Sequence, residues 1–214
     1  MNVVGKFEVI KEFKIANEDI FVKGKPFKKP LKKNKYRSQE HLEKLFSLFQ
    51  NSRPENKKDT KKKKLITIPD NAVYEYIKAK FDHKETEIVK VKNHHNIAMD
   101  AENKIGYFLE EYIYKNIKSN DWIWCTGSIL RSIDFIKKEL QGTKIVWKML
   151  QVKNSDNTEN SSSNKVRDNT SIEHWFRRFS LKDEYNWDSL KKITNCENLS
   201  EENFLEFLRN KAKL

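Results

Sequence analysis

DFIKKELQGTKIVWKMLQVK, residues 134–153, reads as two strands folded back on a glycine turn. In the stretch 144–153, KIVWKMLQVK, side chains alternate between faces, so Met149, Gln151 and Lys153 share one side and Leu150 and Val152 the other. The run ILRSIDFI, residues 129–136, is a second strand candidate, and Gly142 marks a turn between the two. A hairpin closing at Gly142–Thr143 leaves Asp134 and Gln151 equally far from the turn, facing each other across the ladder. An acid, an amide oxygen and an amine then meet at one sheet edge. That combination suits a divalent metal and a phosphodiester.

The composition narrows the class. A chain of 214 residues holds one sizeable domain, or a catalytic domain with a smaller N-terminal extension. Apolar residues make up 37% and charged residues 35%, and five Trp, seven Tyr and thirteen Phe are enough to anchor a core. A formal charge of +12 favours a polyanionic partner, most simply nucleic acid, although a lysine-rich proteome produces the same surplus. Cys125 and Cys196 stand far apart, without the spacing of a zinc site or a disulfide framework, which fits a reducing, cytoplasmic setting. The N-terminus, MNVVGKFEVIKEF, breaks its apolar run with charges, and no segment reads as a signal peptide or a membrane span.

Outward from the hairpin, the upstream chain reads as a basic, partly helical extension over residues 1–90, and 91–214 as the core. In residues 1–37, Pro26 and Pro30 argue against a long regular element. Ser38 caps a helix with Leu42, Leu45, Phe46 and Phe49 at helical spacing. The lysine-rich stretch 51–64 reads as a solvated linker or loop rather than as a phosphate-contacting arm. LITIP, residues 65–69, is extended, and Asp70 caps a further helix. A helix over roughly 97–117 carries Ala98, Ile105, Leu109 and Tyr112 or Ile113 on its core face. The same bearing puts Glu102 on that face, with Glu110 and Glu111 beside or behind it. A carboxylate there needs a partner: a structural Arg or backbone donor serves as well as a metal.

DWIWCTG, residues 121–127, is a strand candidate, completing an antiparallel meander with the hairpin that parallel strands from the N-terminal region could join. The tract 154–171 is rich in Asn, Ser, Asp and Thr and reads as a loop. It leads into SIEHWFRR, expected as a compact helix capped by Ser171, with Trp175 and Phe176 packed and Arg177 and Arg178 outward. A short helix follows over 183–193. The last helix is capped by Ser200, has Glu201 and Glu202 at its positive end, and is stapled by Leu199 and Phe204.

The runs AMDAENKIGYFLEEYI (98–113), WIWCTG (122–127), DFI (134–136), WKMLQVKN (147–154), ENSSS (159–163) and WFR (175–177) together resemble the SinI family of type II restriction endonucleases. The resemblance covers about 96–180, and its most specific part is the block from QVKN to ENSSS. It implies cleavage of duplex DNA at G-G-(A/T)-C-C or a related short, near-palindromic site, with Mg2+ as cofactor. It also implies an α/β (α+β) fold of the PD-(D/E)XK restriction-endonuclease type, a central mixed sheet flanked by helices. On that pattern Asp134 is the acid of one strand and Lys153 the lysine of the next. Gln151 takes the position usually held by an acid, so the site lacks one negative charge. A helix carboxylate then becomes more necessary, Glu102 first and Glu110 second.

The metal set so implied is Asp134, Gln151, the Val152 carbonyl and Glu102, with Lys153 orienting water. Asn154, Asn157, Asn160, Ser161, Ser162, Ser163 and Arg167 are candidates for reading base edges, and Arg177 and Arg178 for gripping the backbone. Two strands to cut favour a homodimer, and a separate methyltransferase is the expected companion. Two alternatives stay open: a non-catalytic nucleic-acid-binding module, and a nuclease of the same fold with another specificity.

Overall fold

The computed structural model describes residues 1–17, 38–54, 80, 101–102, 104–130, 132–157 and 170–212. The chain divides into two compact units, Met1–Lys57 with Leu109–Leu214, and Lys58–Phe108. The first contains a four-stranded sheet in the order β1 (Ile123–Trp124), β2 (Phe135–Gln141), β3 (Lys144–Ser155), β4 (Ile172–Arg178). β1, β2 and β3 are antiparallel neighbours, and β4 runs parallel to β3, so the sheet is mixed. Its helices are α1 (Val3–Ala16), α2 (Gln39–Ser52), α3 (104–117, in this unit from Leu109 on), α4 (Trp187–Thr194) and α5 (Glu201–Ala212). Among the described residues no helix is long and apolar enough to cross a membrane.

The hairpin has the expected register. Gln141 pairs with Lys144 and Phe135 with Leu150, around a two-residue turn at Gly142–Thr143. Gly142 has φ +63° while Thr143 is not among the positive-φ residues, the pattern of a type II′ turn, whose twist matches that of the strands.

α1 departs from expectation. Val3, Phe7, Ile10 and Phe13 recur at helical spacing, Asn2 accepts a hydrogen bond from the Gly5 amide (2.8 Å) as N-cap, and the prolines lie beyond the helix end. α2 matches, with Ser38 as its N-cap and Leu45 and Phe49 buried. These two helices pack Phe7, Ile10, Phe13, Leu45 and Phe49 with Ile123, Ile136, Met149 and Ile172 from one face of the sheet. Residues of α1 and α2 therefore contribute to the sheet's own core.

SIEHWFRR is a strand, not a helix. Ile172 and Trp175 pair with Met149 and Val152 of β3, and burial of Ile172, Trp175 and Arg177 follows the two faces of a ladder. The parallel strand therefore comes from the C-terminal side and not from the N-terminal region. On the face opposite α1 and α2, Trp175 packs on Trp187 of α4 (5.2 Å between centroids), which in turn meets Phe204 of α5 and Tyr112 of α3. Arg177, expected outward, is buried: it donates to Glu201 and, from Nε, to Asn154 Oδ1 (2.9 Å). The second Glu201 oxygen accepts from Trp187 Nε1 (2.9 Å), so one carboxylate joins β4, α4 and α5.

Two substitutions test this packing. Gly127, at φ +80°, lies against α2, and an added Cβ would fall 2.7 Å from Ser52 Oγ and 2.8 Å from the Leu48 carbonyl. Gly127→Ala is expected to lower stability by about 1–3 kcal/mol, read as a fall in the urea midpoint. Glu201→Ala strands a buried guanidinium and should cost about 3–5 kcal/mol. A loss below about 1 kcal/mol, the worth of an exposed pair, would contradict the role given to Glu201.

Candidate active site

The site is assembled where β2 begins and β3 ends. Past Phe135 the ladder stops being regular: the Asp134 amide donates to the Leu150 carbonyl (2.9 Å), and its carbonyl accepts from the Cys125 amide (2.8 Å). The Val152 amide points from β3 towards β2, where no further strand residue remains to accept it. Asp134 Oδ2 does so, at 2.7 Å. A backbone amide lies in the plane of its sheet, so the Asp134 carboxylate sits at the rim of the sheet and not upright on either face.

Burial pushes the Asp134 carboxyl up to about 6, opposed by the Val152 hydrogen bond and the positive charge of Lys153. Lys153 is therefore near enough to act electrostatically on the acid. Gln151 is buried, and Lys153 is half-buried on the same face of β3. Gln151 pairs with His174 of β4 and Lys153 with Phe176. Sequence reasoning missed His174 as a neighbour because it took that segment for a helix.

The helix carboxylates are distributed differently from expectation. Glu111, placed beside or behind the core stripe, is buried and salt-bridged to Lys115 (3.2 Å) and Lys211 (2.8 Å). Glu102, placed on the core face, is exposed and belongs to the Lys58–Phe108 unit. Glu110 accepts from Trp124 Nε1 (2.8 Å) at the edge strand. Trp124 and Gln151 project from opposite faces of the sheet, since Trp124 shares a rung with Phe135 and Leu150. Burial raises the Cys125 thiol pKa, and the charges of Asp134 and then Glu110 raise it further, so both carboxylates lie within electrostatic reach of that sulfur.

Around the loop, Asn154 is engaged by Arg177, Asn157 is exposed, and Arg178 is exposed. Asn160, Ser161, Ser162, Ser163 and Arg167 lie outside the described residues, as do the run at 65–69 and the helix expected after Asp70. At the end of β3, Asp156 Oδ1 accepts from the Ser180 amide (2.9 Å), and the Asp156 amide donates to the Arg178 carbonyl.

The raised Asp134 pKa has a pH signature. A carboxyl that holds its proton more tightly when folded favours the folded state at low pH, and that advantage is lost as pH rises from the ordinary 3.8 through about 6. In metal-free buffer, Asp134→Asn should exceed the wild type in stability by about 1–3 kcal/mol above this range. The gap should close as pH falls, as read from urea midpoints across a pH series. A gap independent of pH would show that burial of this acid is not what raises it.

The SinI restriction endonuclease family model matches residues 3–213. The chain is 38% identical over 177 residues to the type II restriction enzyme Eco47I of Escherichia coli, covering 83% of this chain and 74% of the relative. It is also 38% identical over 183 residues to the type II restriction enzyme SinI of Salmonella infantis, covering 86% and 76%. With the hairpin, the parallel fourth strand and the rim aspartate in place, these matches show that the chain belongs to the SinI restriction endonuclease family.

Proposed function

We propose that this protein hydrolyses phosphodiester bonds of duplex DNA at a short near-palindromic site, G-G-(A/T)-C-C or a related one, with Mg2+ as cofactor and the core acting as a PD-(D/E)XK nuclease. The observation that carries the reading is the Asp134 carboxylate. One of its oxygens is fixed by the Val152 amide, Lys153 acts on it electrostatically, and its pKa is raised by burial. A buried acid in that state gains from a cation. Among the described residues no cluster of three or more His, Cys, Asp or Glu is placed to hold a metal. The donor set that fits is instead mixed: Asp134, the Gln151 amide oxygen, the Val152 carbonyl and one helix carboxylate. Mg2+ suits such a set, because it is held by few carboxylates and keeps several waters.

Glu110, which lies in the same unit as Asp134, is the helix carboxylate assigned to this set. The bound ion would neutralise charge on the scissile phosphate and make water more acidic. Lys153 orients the attacking water and stabilises charge that develops on phosphorus-bound oxygen. The phosphorus gains an oxygen from water and loses the ester oxygen, which leaves with a proton; nothing is oxidised or reduced.

Asn157, Asn160, Ser161, Ser162, Ser163 and Arg167 read base edges, and Arg178 grips the backbone. Asn154 and Arg177 hold the base of the loop through their mutual hydrogen bond. A two-fold homodimer presents one such site to each DNA strand, in a cytoplasmic setting where a separate methyltransferase protects host DNA.

Incubation of plasmid DNA with the protein and Mg2+ should yield discrete bands, whose sequenced ends give the site and cut position. Asp134→Ala and Lys153→Ala should each lose cleavage by at least about 100-fold while still binding duplex DNA. Normal cutting by either variant would remove that residue from the chemistry. A smear would replace site-specific cleavage with nonspecific nuclease action, and an intact plasmid would leave a DNA-binding module.

A further inference from the structure

We propose that the cleft bounded by α1, the C-terminal end of α3 and the edge strand β1 is a binding site for a phosphate group. The cleft has a volume of about 360 Å3, and Lys6, Lys118 and Lys138 line it together with Tyr114 and Trp122. Trp122 is 2% exposed, yet its indole N–H has no hydrogen-bond partner among the described residues. A buried donor left unpaired is costly, and most such donors in folded proteins find an acceptor. Trp122 also lines the cleft, so its indole reports on what enters there.

Tyr114 supplies a second donor. Its phenol oxygen accepts from Lys6 Nζ (2.6 Å) and from Arg53 Nη2 (3.0 Å), so the phenol's own proton is directed to a third group. Burial pushes the Tyr114 pKa up, but the hydrogen bonds and positive charges of Lys6 and Arg53 outweigh it and leave it lowered. A more acidic phenol is a stronger donor.

Asp121, exposed on the rim, and Glu12, which holds Lys138, offset part of the lysine charge. Three lysines and a phenol still present donors and positive charge, which is the complement of an oxyanion. This site is separate from the nuclease site and does not depend on that reading. Lys138 lies towards the hairpin turn, roughly 13 Å along an extended strand from Asp134. A free phosphate and one carried by DNA flanking the cut site present the same oxygens.

The test follows the Trp122 indole N–H resonance in a 15N–1H spectrum of the full chain, assigned by its loss in Trp122→Phe. Inorganic phosphate, and separately a duplex with long flanks, should move that resonance saturably. Lys118→Gln, at an exposed position that leaves the fold undisturbed, should weaken the effect by about tenfold, the worth of one charge-assisted hydrogen bond. If the phosphate belongs to DNA, a duplex trimmed to its recognised bases loses the effect. If it is free, phosphate alone moves the resonance and flank length makes no difference. A resonance unmoved by both probes, or moved equally in Lys118→Gln, overturns the proposal.

Discussion

One hydrogen bond orders the functional end of this molecule: the Val152 amide donating to the Asp134 carboxylate. Where β2 runs out, β3 still presents an amide that cannot be left unpaired in a buried environment. An aspartate side chain takes the place of the missing strand. That substitution fixes the acid at the sheet's rim, joins it to the strand carrying Gln151 and Lys153, and buries it enough to raise its pKa to about 6. Structure and candidate chemistry therefore share a single contact. Among the described residues, the Val152 amide holds one oxygen of the carboxylate that completes the ladder.

Much of this was legible from residue order. In a two-residue hairpin the sum of paired positions is constant, so locating the turn at Gly142–Thr143 was enough to set the register from Gln141–Lys144 out to Phe135–Leu150. α2 was legible because its cap and apolar spacing agree. SIEHWFRR was misread because Ile172, Trp175 and Phe176 also fit helical spacing. Its true partner, β3, is separated from it by a long polar tract, and short apolar runs do not reveal parallel pairing. α1 was hidden by its lysines, which decorate a helix whose Phe7, Ile10 and Phe13 are buried. The three glutamates of α3 and its neighbourhood show where periodicity runs out. Glu111 is buried because Lys211 reaches it from α5, a contact that spacing within one helix cannot reveal.

Positive charge plays more than one role in this chain. Arg177 was expected to meet DNA, but with Glu201, Trp187 and Asn154 it instead ties the fourth strand to the last two helices and to the base of the polar loop. Arg53 and Lys6 converge on one phenol oxygen. A surplus of +12 is thus partly structural, and its exposed remainder is what a polyanion would meet.

The central claim is that Asp134, Gln151 and the Val152 carbonyl hold one divalent ion. Anomalous diffraction from crystals of the protein soaked in Mn2+ tests it most directly. The account predicts a peak at coordination distance from an Asp134 carboxylate oxygen and the Gln151 amide oxygen, absent from Asp134→Ala crystals. A peak elsewhere, or one that survives removal of Asp134, would contradict it.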